Sequence, residues 1–518
     1  MTTVIFKPTD GCNARCLYCS AAHPGAAKRV SSTVLREAFR LFGDWAARFG
    51  RGRLAFIWHG GEPLLMPASF WDEVLEAQAE ILAPRGVAVE NRIQSNLTLL
   101  TEERLPALAR LLGGRGVVGT SADPLPGIRE LKGARDGLYE ERWAEAVRLL
   151  RSAGIRHGIL YVVHRRSLPD LARTYRSFRE RHPGAGLRFN PLYREGRAEE
   201  EGVWAELGIT AEEWGEALIA LYEEWVRDGR PGDVQPFGPW WRWHAEGRWG
   251  LSCECSGRCA EGHFGVDPDG GVYLCGRSSD AGAFRYGTAG ELTADDLRRH
   301  PARRALRNRL AYLRRTHCRD CAYWTYCHGG CPNDAVLSHG TPFAPTSVCA
   351  GLKRFFEHAF PEPRRESPRA APGAGEDLAA PAPESEAPRG VAAIERLEPE
   401  EAERLADRFL HDPEVTRPIE PFASLLAAFV ERRKISLWDL LAPAGDRGRA
   451  SGQAPAGAFL SALPREHPEC LECGSFFACE GRAAWTGGCA PWKAVLEKLA
   501  AAARELRELA AAARRIAS

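Results

Sequence analysis

Sixteen cysteines fall in four tight groups, at positions 12–19, 253–275, 318–349 and 470–489, with long cysteine-free stretches between them. Cysteines used only for packing scatter along a chain. Grouping is what a metal or cluster site needs, because its ligands must converge. A disulfide framework is the competing reading, and it needs an oxidising compartment. The opening run, Met1-Thr2-Thr3-Val4-Ile5-Phe6-Lys7-Pro8, enters a strand-like segment at once, with no charged leader, long apolar region or small-residue cleavage site. No stretch approaches the length of a membrane span. A soluble, cytoplasmic protein is therefore expected, with no membrane partner and with metal ligation as the use of the grouped thiols.

At 518 residues the chain exceeds what one hydrophobic core serves, so two or three domains are expected. Lys and Arg number 69 against 68 Asp and Glu, a formal net charge of +1 without a long basic run. That balance argues against a nucleic-acid partner. Fifteen tryptophans in a chain of this size, without a long basic run beside them, read as core and pocket lining rather than a base-stacking platform.

Up to about residue 195, short apolar runs alternate with amphipathic ones. Val4–Phe6, Leu54–Trp58, Val89–Gln94, Gly116–Ser121, Ile159–Val163 and Leu187–Leu192 read as strands. Val34–Ala47, Phe70–Leu82, Glu103–Leu112, Glu140–Arg151 and Leu168–Arg179 read as helices between them. Repeated βα units imply a parallel sheet with helices outside it, and a doubly wound sheet or a partial barrel would both satisfy the pattern. A helical connector follows at Ala211–Asp228, then cysteine-rich, loop-rich sequence to about Lys353, where metal sites are expected to replace regular packing. Residues 361–392 are rich in Pro, Ala, Glu and Gly without periodicity, the composition of a flexible linker. Short helical runs and the last cysteine group fill 393–518.

Gly11-Cys12-Asn13-Ala14-Arg15-Cys16-Leu17-Tyr18-Cys19 sets three thiols in a loop just after the first strand. A structural zinc site wants four ligands, and His23 is the sole nearby candidate for the fourth. Three thiolates on a 4Fe-4S cubane instead leave one iron open to another ligand. The spacing and position resemble the radical S-adenosylmethionine (SAM) superfamily, whose open iron chelates the amino and carboxylate groups of SAM. The resemblance implies that Cys12, Cys16 and Cys19 hold that cluster and that Tyr18 lies against the adenine.

Further segments fit the same family. Trp58-His59-Gly60-Gly61-Glu62-Pro63 stands at the end of the second strand, where two glycines allow close backbone approach and a carboxylate can accept from an ammonium group. It is similar to the family's motif for the SAM amino group, so Gly60, Gly61 and Glu62 are assigned there. Gln94-Ser95-Asn96 and Ser121-Ala122-Asp123, at the ends of strands three and four, resemble the remaining SAM-pocket segments and contribute Asn96 and Ser121. The family also supplies an Arg for the SAM carboxylate; Arg129, Lys132 and Arg135 all compete for that role.

Cys318-x2-Cys321-x5-Cys327-x3-Cys331, followed by Cys349, and Cys253-x5-Cys259 with Cys275 resemble the SPASM domain of radical SAM peptide maturases, which carries two auxiliary 4Fe-4S clusters. By that resemblance Cys253, Cys259, Cys275 and Cys331 hold one cluster, and Cys318, Cys321, Cys327 and Cys349 the other. Cys255 is surplus and could replace Cys253. In sulfatase-maturating relatives an Asp acting as a base follows the cysteine corresponding to Cys275; here Gly276 stands in its place, and Asp280 cannot be aligned to that role. His59, His164 and His328 are read as structural. Cys470, Cys473, Cys479 and Cys489 repeat the opening spacing of the 318 group and are expected to bind a fourth 4Fe-4S cluster or a zinc ion.

The expected architecture is α/β: a partial (β/α)6 radical SAM barrel over 1–215, a cysteine-rich SPASM domain over 216–360, a linker over 361–392 and a mostly helical C-terminal module over 393–518. The resemblance implies an enzyme that reductively cleaves SAM and abstracts a hydrogen, most simply from a ribosomally made peptide, giving a crosslink, an oxidation or an epimerisation. An electron donor such as flavodoxin or ferredoxin is implied as well. A radical SAM dehydrogenase of a small molecule and a non-catalytic iron–sulfur electron carrier are the rival readings, and the catalytic base is unassigned.

Overall fold

The computed structural model describes residues 1–21, 27–114 and 116–364. His23, nearly all of the expected linker and the C-terminal module with Cys470, Cys473, Cys479 and Cys489 lie outside the described residues. Residues 1–298 and 317–364 form one compact unit; residues 299–316, with the helix Pro301–Arg315, are grouped outside it.

Six parallel strands follow the predicted runs: β1 (Thr2–Thr9), β2 (Arg53–Gly60), β3 (Ala88–Ser95), β4 (Val118–Ser121), β5 (His157–Val163) and β6 (Gly186–Pro191). Between them run α1 (Ser32–Arg48), α2 (Ala68–Ile81), α3 (Leu105–Leu112), α4 (Leu138–Ser152) and α5 (Leu171–Arg181). Local signals set their ends. The Ser31 hydroxyl accepts from the Val34 amide to start α1, and Gly113 closes α3 in the left-handed conformation.

The strands lie side by side in chain order, β1 to β6, and a short β7 (Val234–Gln235) continues beyond β6. A doubly wound sheet reverses its order at a switch point; this one does not, so the sheet is singly wound, as a partial barrel requires. Strand alternation then sorts side chains. In β5, Ile159, Tyr161 and Val163 are buried, with Tyr161 5.7 Å from Phe178 of α5, while Leu160 and Val162 face an interior cavity.

The cysteine-rich stretch is more regular than its sequence suggests. β8 (His263–Val266) pairs parallel to β1, and β9 (Gly271–Tyr273) and β10 (Arg285–Thr288) follow antiparallel, giving one ten-stranded sheet in the order β10-β9-β8-β1-β2-β3-β4-β5-β6-β7. These strands are three or four residues long, too short to show a period. Sheet hydrogen bonds therefore carry part of the structure that metal sites alone were expected to carry.

Candidate active site

The loop that follows β1 is fastened on two sides. Its backbone pairs with residues 128–132 through Arg15 N to Glu130 O (2.7 Å), Leu17 N to Ile128 O (3.0 Å) and Lys132 N to Asn13 O (2.9 Å). On the other side it meets the Gly60-Gly61 segment, where Gly61 N donates to Thr9 O (3.0 Å) and Glu62 N to Gly11 O (2.8 Å). A Cβ on Gly61 would stand 2.0 Å from Gly11 O, and one on Gly60 2.4 Å from Thr9 O. The two glycines are thus needed for loop-on-loop contact, whatever else approaches them.

Cys12, Cys16 and Cys19 line one cavity of about 310 Å³ together with Tyr18, Gly60, Gly61, Asn96 and Ser121. Burial pushes the Cys12 thiol up to about 11 and the Cys19 thiol up to about 12, and the neighbouring thiols add to both rises. Left to themselves these groups are neutral. A bound cationic centre would reverse that preference.

Glu62 follows the two glycines just after the end of β2. It is fully buried, and its carboxylate accepts from Leu64 N (2.9 Å), Ser95 Oγ (2.7 Å) and Asn96 N (2.7 Å). Burial raises it to about 7 even with those donors. The carboxylate is committed to protein partners and ties the end of β2 to the end of β3; the cavity wall is made by Gly60 and Gly61 instead. Sequence could not reveal this, because Ser95 and Asn96 lie more than thirty residues away.

Asn96 bridges the same region. Its Nδ2 donates to Asn13 Oδ1 (2.9 Å), and its Oδ1 accepts from Thr98 N (2.9 Å). Ser121 Oγ accepts from Gln94 Nε2 (3.1 Å). Of the three competing cations, Arg129 alone lines the cavity. It is 8% exposed, with Nε 3.2 Å from Tyr18 OH, Nη1 3.2 Å from Tyr139 OH and 3.6 Å from Cys16 Sγ. Lys132 and Arg135 are exposed. Tyr18 is held further by Asp123, whose Oδ2 also lies 3.0 Å from His164 Nε2. His164 is thus structural in its contacts. His59, by contrast, lines the cavity, and burial lowers its pKa so that the ring is neutral.

The remaining described thiols are free cysteines. Burial raises Cys253, with Glu254 next and Cys331 and Cys275 adding to the rise; it raises Cys327, with Cys349, Cys318 and Cys321 adding. Cys253, Cys275 and Cys331 therefore lie within electrostatic reach of one another, as Cys318, Cys321 and Cys349 do of Cys327, although Cys253 is open to solvent. Cys255 is buried within electrostatic reach of both Cys327 and Cys253. Cys259 opens the short helix Cys259–Gly262. Among the described residues, no three His, Cys, Asp or Glu side chains close on a single ion-sized point.

Several residues of this cavity carry no sequence signal. Glu195, in the turn after β6, and Arg277, just after Cys275, form a bidentate pair with contacts of 2.8–3.0 Å, and both line the cavity beside Tyr193. Asp280 lies one turn along the same helix, Gly276–Asp280, and also lines the cavity. The buried Lys7 ammonium donates to it at 2.5 Å. A lysine inside the apolar opening strand was the one readable hint, since a buried ammonium requires a partner.

A profile of the Radical SAM superfamily matches residues 6–178. The chain is 28% identical over 366 residues to a serine-type anaerobic sulfatase-maturating enzyme of Klebsiella aerogenes, covering 68% of this chain and 84% of that protein. It is 25% identical over 374 residues to a cysteine-type anaerobic sulfatase-maturating enzyme of Clostridium perfringens (strain ATCC 13124), covering 69% and 96%. Native anSMEcpe with bound AdoMet shares its fold, with a TM-score of 0.57 at 21% identity over 69% of this chain and 97% of that one. Residues 6–178, which carry the thiol loop and the first strands, thus match the Radical SAM superfamily, and about two thirds of the chain is similar to anaerobic sulfatase-maturating enzymes.

Proposed function

We propose that this protein reductively cleaves SAM and abstracts a hydrogen from a side chain of a ribosomally made peptide or protein. The observation that carries the reading is the convergence of Cys12, Cys16 and Cys19 on the cavity that Gly60, Gly61, Tyr18, Asn96, Ser121 and Arg129 also line. Membership of the superfamily implies a 4Fe-4S cluster and SAM. The residues fit that group: Cys12, Cys16 and Cys19 line one cavity without closing on a single ion-sized point, as ligands to separate irons of a cubane would. Cys12, Cys16 and Cys19 would hold the cluster. When bound, it supplies one-electron chemistry that ends in hydrogen abstraction.

The protein's own share is positioning. Asn96 and the backbone of Gly60-Gly61 offer polar groups beside Cys12, and Glu62 fixes both segments from behind. Arg129 places a fixed positive charge beside Cys16 and braces Tyr18. Leu160 and Val162 supply an apolar floor that excludes water from reactive intermediates. Two carboxylates line the cavity, Glu195 and Asp280, each already held by a cation. The likeness to maturases that act on sulfatases supports a protein or peptide substrate, although Gly276 stands where those relatives carry their basic Asp. We further assign the two remaining described thiol groups to two auxiliary clusters, with Cys253 favoured over Cys255 because it neighbours both Cys275 and Cys331.

The test is anaerobic reconstitution, followed by incubation with SAM, dithionite and the peptide encoded by a short reading frame beside this gene. Release of 5′-deoxyadenosine and a mass change in the peptide are expected. The chain with Cys12, Cys16 and Cys19 all changed to Ala releases none; release from that variant would overturn the assignment.

A further inference from the structure

We propose that Arg277, clamped by Glu195, sets the reduction potential of the centre to which Cys331 belongs and makes that centre easier to reduce. The proposal rests on the assignment of an auxiliary cluster to Cys253, Cys259, Cys275 and Cys331. Arg277 reaches two places at once. Its Nε and Nη2 form the fork onto Glu195, at 2.9 and 2.8 Å, while Nη1 lies 3.8 Å from Cys331 Sγ. The guanidinium also lies 4.0 Å over the Tyr193 ring, which covers one of its faces while the fork onto Glu195 holds its N–H groups. Its side chain is 28% exposed and that of Glu195 12%, so water screens the charges poorly.

The potential of an iron–sulfur centre depends on nearby charge and on hydrogen bonds to its sulfurs. Arg277 supplies both to Cys331. Each added electron makes the centre more negative, so an adjacent cation favours the reduced form. Glu195 has the opposite sign and sits one guanidinium farther away, so it tempers the cation while aiming it. The same pair lines the cavity that holds Cys12, Cys16, Cys19 and Tyr18. One ion pair therefore borders both the cavity and the Cys331 group.

The two halves of the pair predict shifts of opposite sign, which a general structural disturbance would not produce. The experiment uses the full chain with Cys12, Cys16 and Cys19 changed to Ala, reconstituted anaerobically and titrated by EPR-monitored potentiometry. The signal that disappears in Cys331→Ser identifies the centre. Arg277→Gln should lower its potential until the reduced-to-oxidised ratio at fixed applied potential falls about tenfold, about 59 mV for a one-electron couple. Glu195→Gln should raise it. Arg277→Lys, which keeps the charge and loses the fork, should fall between Arg277→Gln and the parent. If no signal depends on Cys331, the auxiliary-cluster assignment fails and takes the proposal with it. If the signal is present and both Gln variants leave its potential unmoved, or move it the same way, the assignment stands and the role of Arg277 is refuted.

Discussion

Gly61→Ala is the substitution whose consequence follows most directly from geometry. Gly61 needs no left-handed backbone, so a conformational penalty is not the reason for glycine here. The reason is contact: an added Cβ would stand 2.0 Å from Gly11 O and 2.5 Å from Asp10 O, and both obstacles are backbone. Relieving that overlap takes a separation of about 1 Å or more, enough to break the 3.0 Å bond from Gly61 N to Thr9 O and the 2.8 Å bond from Glu62 N to Gly11 O. Overpacking costs about 1–3 kcal/mol and each of two stranded groups about 1–3 kcal/mol, so the loss is about 3–9 kcal/mol. Gly86→Ala is the control, since its φ of +67° is strained while nothing lies within 4 Å of the new Cβ; it should cost about 1–2 kcal/mol. Denaturant unfolding of the metal-free chain measures both, and hydrogen exchange at the Glu62 amide reports the loop contact itself. If metal-free Gly61→Ala unfolds at the wild-type midpoint with the Glu62 amide still protected, the close packing of the two loops is wrong. The glycine would then serve ligand approach alone.

Other outcomes follow from the same structure. Glu62→Gln turns one acceptor oxygen of a buried three-donor web into a donor and should destabilise the metal-free chain by about 1–3 kcal/mol; unchanged stability with SAM binding abolished would return the carboxylate to the ligand. His182 is held down to about 4 by burial first, and then by His157, Arg151 and Arg181. Between its ordinary value of 6.5 and about 4, the unfolded chain takes up a proton that the folded chain refuses, so this group's contribution is intact above pH 6.5 and lost as pH falls toward 4. The group is only partly buried, which discounts the effect to about 1–2 kcal/mol, and His182→Phe should lose less stability than wild type between pH 7.5 and pH 5 in parallel unfolding curves. Iron and zinc analysis after anaerobic reconstitution tests the four C-terminal cysteines: about 16 irons per chain supports a fourth cubane at Cys470, Cys473, Cys479 and Cys489, while about 12 irons with one zinc supports a structural zinc site.

The alternation of apolar runs by itself determined six parallel strands and five helices, because a half-buried strand and an amphipathic helix each write their period into contiguous residues. The spacing of Cys12, Cys16 and Cys19 likewise brought three thiols to one cavity, since three residues within a stretch of eight need only one loop. What the sequence left open was decided by contacts between distant residues. Strand order separated the partial barrel from the doubly wound sheet, and nothing local encodes order. β8, β9 and β10 were too short to show alternation and became visible only through their pairing with β1 and one another. Arg129 was separated from Lys132 and Arg135 by burial against Tyr18 and Tyr139. Glu62 met Ser95 and Asn96 at the end of another strand, and Arg277 found Glu195 across more than eighty residues of chain. A charged side chain announces that it needs a partner once buried; which partner it meets is a property of the folded chain.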